Sequence, residues 1–151
     1  MCIRDSFLIE SLVLFCSIQN FNQCLVLSKY NINLNEASVK QRDLYEKVDT
    51  LITCKALYLN PTLNIVDVAK EMGTNYKYIS RAINAQGFTF LDLINIKRIA
   101  KAKLLLEDKS NEFLSVEEIG KQVGFKSKAT FYKYFKEKYN QTPSAFRKSL
   151  E

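Results

Sequence analysis

From Asp43 to the C-terminus, apolar residues recur at the spacing of α-helices. Leu44, Val48, Leu51, Ile52 and Leu59 mark the stripe of a first helix, predicted over about 43–58. Asn60-Pro61 stops it, because the residue before a proline is pushed out of helical geometry. A short helix follows from Ile65 to Met72, with Val68 and Ala69 inward, and Gly73 breaks it. Asn75 is a good N-cap for the next helix, Tyr76 to about Ala85, which Gly87 ends. A long helix is predicted from about Phe90 to Glu107, with Ile94, Ile99, Ala102 and Leu106 buried. At about 1.5 Å per residue it spans roughly 27 Å.

The second half repeats the plan. Ser115 with Glu118 three residues later is a capping box, and the helix it opens ends at Gly124. A basic helix follows from about Lys128 to Tyr139. Thr142-Pro143 starts a last short helix carrying Phe146, with proline in the first turn, where no N–H is needed. No stretch alternates with the two-residue period of a strand between hairpin turns, so the fold class is all-α.

One turn signature occurs twice: Ala69-Lys70-Glu71-Met72-Gly73 and Gly120-Lys121-Gln122-Val123-Gly124. Only four glycines occur in the chain, and three sit in these two signatures. Glycine inside a helix costs about 1 kcal/mol relative to alanine, so Gly120 needs a packing reason, which a close helix crossing supplies. Gly73 and Gly124 suit positions with positive φ. A single copy reads equally well as an ordinary helix C-cap. Two copies in matched contexts, each followed by a polar, basic, aromatic helix, indicate a duplicated helix-turn-helix.

The N-terminal part is different. Residues 7–28 are apolar and poorly patterned, and 29–42 are polar and read as a linker. Phe7–Ile18 is interrupted by Glu10 and is shorter than the about 20 apolar residues of a bilayer span. It reads as a packing helix or as the end of a truncated membrane or sensor region. Met1–Ser6 resembles the translation of a common transposase-based sequencing adapter, which marks residues 1–6 as an assembly artefact.

Composition narrows the chemistry. The chain has 151 residues, 47% hydrophobic and 25% charged, ordinary for a globular protein. With 22 Lys+Arg against 16 Asp+Glu, its net charge of +6 suits an anionic partner, nucleic acid or membrane surface. There is no histidine, the commonest general base and metal ligand. Cys2, Cys16, Cys24 and Cys54 form no C-x-x-C pair, so neither a zinc site nor a disulfide scaffold is expected, and the thiols suit a reducing cytoplasm.

The two helices after the turns carry the candidate chemistry. With Ile79 and Ile83 inward, Lys77, Ser80, Arg81 and Asn84 share the outer face of the first. With Phe131 and Phe135 inward, Lys126, Lys128, Thr130, Lys133 and Lys136 lie outside or at the edge of the second. Lys and Arg neutralise phosphates, and Arg, Lys and Asn reach base edges in the major groove. Any one lysine is as well explained as a solvated surface charge. Between Lys121 and Lys148, however, stand eight basic residues and one acid, Glu137. Phe125, Phe131, Phe135 and Phe146 suit a core, whereas Tyr76, Tyr78, Tyr132 and Tyr134 either contact the DNA backbone or cover that core.

Residues from about 43 to 149 resemble the C-terminal DNA-binding domain of AraC/XylS-type transcription regulators. The most specific stretch is Ile119-Gly120 through Val123-Gly124-Phe125-Lys126-Ser127, then Thr130-Phe131, Phe135-Lys136 and Thr142-Pro143-Ser144-Ala145-Phe146-Arg147. Upstream, Leu63, Val68-Ala69, Ile79-Ser80-Arg81, Ile83-Asn84, Phe90 and Ile94-Asn95 through Arg98 resemble the variant often joined to membrane sensor modules.

The resemblance implies seven helices in two homeodomain-like helix-turn-helix units, about 63–86 and 115–139. A linker helix at about 90–107 joins them, and an N-terminal remnant and linker over 1–42 precede the domain at 43–151. It places DNA contacts on Asn75, Lys77, Ser80 and Arg81 in the first unit and on Lys128, Ala129, Thr130 and Lys133 in the second; Asn84, Lys126, Ser127 and Lys136 complete the candidate set. The family often has arginine where Lys133 stands, and lysine lacks the bidentate fork. Ala129 offers only apolar contact, as to a thymine methyl. The segment from Ile83 to Phe90 is one residue shorter than the usual inter-helix turn. The implied function is sequence-specific binding of double-stranded DNA as a cytoplasmic transcription regulator. No catalysis, cofactor or metal is expected, and RNA polymerase or a dimer partner is expected to engage the full-length protein. The alternative is a basic helical module that docks proteins or membranes without reading DNA.

Overall fold

A computed structural model describes residue 36 and residues 38–150 of the chain. Among the described residues there are seven α-helices and no strand. They are α1 (38–54), α2 (Ile65–Glu71), α3 (Tyr76–Asn84), α4 (Phe90–Glu107), α5 (Val116–Gln122), α6 (Lys128–Tyr139) and α7 (Pro143–Lys148), with 3₁₀ turns at Leu57–Leu59 and Lys109–Asn111. None is long and apolar enough to cross a membrane. The apolar 7–28 stretch and residues 1–6 lie outside the described residues.

The first helix differs from the sequence expectation at both ends. Residues 38–42, read as linker, are helical; Lys40, Gln41 and Arg42 are polar but good helix formers. The i,i+4 pairs Arg42–Glu46 (3.2 Å) and Lys47–Asp43 (2.6 Å) support this exposed first stretch. The helix stops at Cys54 rather than at Asn60-Pro61, because Ala56 takes a left-handed conformation (φ 49°) and leads into the Leu57–Leu59 turn. Leu59 therefore leaves the stripe of Val48 and Ile52 and packs into a different apolar cluster.

Among the described residues there are two such clusters. Val48 and Ile52 of α1, Val68 and Ala69 of α2, Ile79 and Ile83 of α3, and Leu93 and Ile94 of α4 form the first. Ile99, Ala102 and Leu106 of α4 join Val116, Ile119, Val123, Phe125, Phe131, Phe135 and Phe146 in the second. Helix α4 is thus a strut common to both, buried on one side near its start and on another further along. This explains its lack of a single clean apolar stripe.

Capping fixes where the helices begin. Asn75, Ser115 and Thr142 cap α3, α5 and α7 as their sequence contexts predict. Two further capping boxes, Asn64 with Asp67 and Thr89 with Asp92, open α2 and α4. The Asp92 carboxylate accepts from the Thr89 hydroxyl at 2.6 Å and from the Tyr134 hydroxyl at 2.9 Å, tying α6 to the start of α4.

Candidate nucleic-acid interface

The repeated signature is one repeated hydrogen-bond pattern. In the first turn, Gly73 N–H donates to the Lys70 carbonyl at 3.2 Å and Thr74 N–H to the Ala69 carbonyl at 3.0 Å. In the second, Gly124 N–H donates to Lys121 at 2.9 Å and Phe125 N–H to Gly120 at 3.0 Å. Both are Schellman closures, with glycine in the left-handed position at φ 62° and φ 96°. Ala69 and Gly120 accept the equivalent long bond, and the reason for their small size is visible at Gly120. A Cβ there would lie 2.8 Å from Cδ1 of Phe131, the buried ring by which α6 crosses α5. The first crossing accommodates the methyl of Ala69.

Arg98 joins the two units. Its side chain is buried, yet among the described residues no carboxylate pairs with it. Nε donates to the Tyr58 carbonyl (2.7 Å), Nη2 to the Asn60 carbonyl (2.9 Å) and Nη1 to Asn95 Oδ1 (3.4 Å). The guanidinium lies 5.7 Å from the Phe125 ring centre. Burial lowers its pKa from the usual arginine value. Gly124 closes the joint: a Cβ there would meet the Leu59 and Tyr58 carbonyls at 2.7 and 3.0 Å and Arg98 Nε at 3.0 Å. The sequence signalled Arg98 only as part of the family resemblance. Its two backbone partners, Tyr58 and Asn60, lie about forty residues away, beyond the reach of any local pattern.

Helix α3 presents open positive charge. Ile79, Ala82 and Ile83 are buried; Lys77, Arg81 and Asn84 are exposed and Ser80 is half-buried. Neither Lys77 nor Arg81 forms an ion pair among the described residues, and α3 itself contains no acid. Asn75 uses its Oδ1 to cap Lys77 N–H at 2.9 Å, which leaves its amide NH₂ as the outward donor. Tyr76 and Tyr78 are exposed.

Helix α6 is different. Phe131 and Phe135 are buried, Lys126, Lys128, Ala129, Lys133 and Lys136 are exposed, and Thr130 is half-buried. Ser127 caps the helix through Thr130 N–H at 3.5 Å. Two of the lysines are already engaged. Lys128 pairs with Glu117 of α5 and lies 5.2 Å from the Tyr132 ring centre. Lys133 approaches Glu137 at 3.8 Å and lies 5.9 Å from that of Tyr134. The bond to Lys128 holds the Glu117 carboxyl below the usual carboxylate range and raises the ammonium pKa. Tyr132 and Tyr134 are half-buried and packed against the second core. Glu117 was not a sequence candidate; beside Ser115 and Glu118 it reads as part of a cap.

Among the described residues no group of His, Cys, Asp or Glu is arranged to hold a metal ion. Cys54 is a free, exposed thiol, and the other three cysteines lie outside the described residues.

The "Helix-turn-helix domain" family model matches residues 68–149. The chain is 30% identical to the urease operon transcriptional activator of Escherichia coli over 148 residues, 83% of this chain and 49% of that protein. It is 32% identical over 89 residues to histidine kinase P4 of Formosa agariphila, 58% of this chain and 6% of that protein. The chain thus spans about half the length of the first relative and a small part of the second. Among solved structures, the C-terminal domain of AraT, a response regulator from Geobacillus stearothermophilus, superposes with a TM-score of 0.58 at 26% identity, covering 70% of this chain and 84% of that one. The doubled Schellman turn, the strut that joins two cores and these relatives agree: the chain belongs to the AraC-type helix-turn-helix family of DNA-binding transcription regulators.

Proposed function

We propose that the chain sets α3 and α6 into successive major-groove faces on one side of a DNA duplex and divides the labour between them. Successive faces are about 34 Å apart, and a strut of eighteen residues, roughly 27 Å long, joins the two units. Helix α3 discriminates bases, through Arg81 above all and through Asn75, Lys77, Ser80 and Asn84. Helix α6 anchors the backbone through Lys126, Ser127, Thr130 and Lys136, while Lys128, Ala129 and Lys133 face the groove. The observation that carries this division is which charges are paired: among the described residues Arg81 of α3 and Lys126 and Lys136 of the second unit have no ion pair, whereas Lys128 and Lys133 have one each.

The protein acts by binding, without catalysis, in the cytoplasm where the chromosome lies. One relative is named as a transcriptional activator and another as a histidine kinase. Those names support RNA polymerase or a dimer partner as a second contact, and a sensor region ahead of this domain to which 7–28 would belong. Selection from a random-sequence duplex library tests the reading. An enriched motif with two half-sites about one helical turn apart is expected. Absence of any enriched motif would refute it and favour a protein- or membrane-docking module.

A further inference from the structure

Glu117 takes no part in the box that caps its own helix. Ser115 and Glu118 complete the box that opens α5, leaving the Glu117 carboxylate to reach across to α6. There it pairs with Lys128 Nζ and accepts from the Tyr132 hydroxyl at 3.4 Å. The same hydroxyl shares a 2.8 Å hydrogen bond with Ser144 Oγ of α7, and the Tyr132 ring lies under the Lys128 ammonium. Three helices thereby hold one lysine of the first α6 turn in one place, with its charge neutralised.

This arrangement is a poor stability device. Both side chains are more than a third exposed, and exposed ion pairs contribute at most about 1 kcal/mol. Its consequence for an approaching duplex is larger. A phosphate offers Lys128 no more than Glu117 already supplies, and the carboxylate repels every phosphate within the Debye length of about 8–10 Å. Guanine O6 and N7 offer acceptors that carry no formal charge, so a lysine already neutralised by Glu117 still gains from them.

We propose that Glu117 is a specificity-determining residue of the second unit: it cancels the gain of Lys128 on backbone alone, so that α6 distinguishes a correct site from random duplex. The proposal rests on the DNA-reading function above. Glu117→Gln is the informative variant, since it keeps the size of the side chain and an acceptor for Tyr132 while it releases the lysine charge.

The test uses the full chain, a duplex selected from the random library and an unselected duplex, titrated from 50 to 200 mM salt. E117Q is expected to bind the unselected duplex about three- to tenfold more tightly at low salt. Its log–log salt slope should steepen by about 0.9, which adds about a threefold loss across that salt range. The selected duplex should gain less, so the ratio of the two affinities falls. The double variant E117Q/K128Q has the wild-type net charge and should restore wild-type affinity and slope on the unselected duplex. A merely structural role for Glu117 would alter melting and leave the slope alone. An E117Q protein with wild-type ratio and slope overturns the proposal while the DNA reading stands. A wild-type chain that selects no sequence overturns both.

Discussion

Gly73 and Gly124 occupy equivalent turns, yet alanine should be tolerated very differently at the two. At Gly73 (φ 62°) no heavy atom lies within 4 Å of a built Cβ, so only the left-handed conformation is at stake. That strain costs about 1–2 kcal/mol and is offset by up to about 1 kcal/mol from the stiffer unfolded chain. Gly73→Ala should therefore destabilise by about 1 kcal/mol, which lowers Tm by about 4–8 °C in a domain of about 100 residues. At Gly124 (φ 96°) the methyl would meet the Leu59 carbonyl at 2.7 Å and that of Tyr58 at 3.0 Å. Both are backbone atoms with no rotamer to escape into, and Arg98 holds that of Tyr58. Overpacking adds about 1–3 kcal/mol to the same net cost of about 1 kcal/mol, so Gly124→Ala should cost about 2–4 kcal/mol. Urea unfolding followed by circular dichroism, with both variants at one temperature, gives the comparison. If Gly124→Ala is no more destabilising than Gly73→Ala, the close joint between the 57–59 turn and the second unit does not exist as described.

Other outcomes follow from the same geometry. Arg98→Met should destabilise by about 1–3 kcal/mol in urea titrations, because the part-buried carbonyls of Tyr58 and Asn60 lose their donor. Arg81→Ala should flatten the sequence preference in a library selection, while Lys136→Ala should weaken all duplexes alike and lower the salt slope by about one. Asp92 has its pKa depressed, first by the Thr89 hydroxyl and then by the Thr89 backbone and Tyr134. The unfolded state therefore binds its proton first, and the stabilisation present above the unfolded pKa is lost as pH falls through the folded one. In melting curves from pH 6 to pH 3, the gap between wild type and Asp92→Asn should accordingly close toward the acid end.

Much of the fold was legible because its punctuation is chemical. Asn75 and Thr142 precede helices and Ser115 opens a capping box; these signals and the apolar periods locate α3 to α7 to within a residue or two. The first helix was less legible for two reasons. Polarity over 38–42 imitates a linker although those residues suit a helix, and Ala56 takes a left-handed conformation that no alanine announces. The exposed faces of α3 and α6 followed from their buried partners, Ile79 with Ile83 and Phe131 with Phe135. The charge state of those faces did not. Glu117 and Lys128 stand on different helices, and a count of basic residues along 121–148 cannot register an acid that begins four positions earlier.

The joint shows why a charged residue stands between two apolar clusters. The 57–60 turn brings the carbonyls of Tyr58 and Asn60 to the point where α4 passes from the first core to the second. An apolar side chain at position 98 would leave these part-buried carbonyls without their donors. Lysine would offer a single point of charge, whereas the planar guanidinium serves three acceptors and still lies over Phe125. Apolar clusters tolerate small sliding because their attraction is non-directional; hydrogen bonds with fixed donor geometry do not. The stem of Arg98 belongs to α4, its donors engage the turn that follows α1, and its flat face meets the residue after Gly124. One side chain therefore fixes the rotation of the second turn about the strut. The proposed presentation of two helices to one face of a duplex depends on that rotation more than on the size of either core.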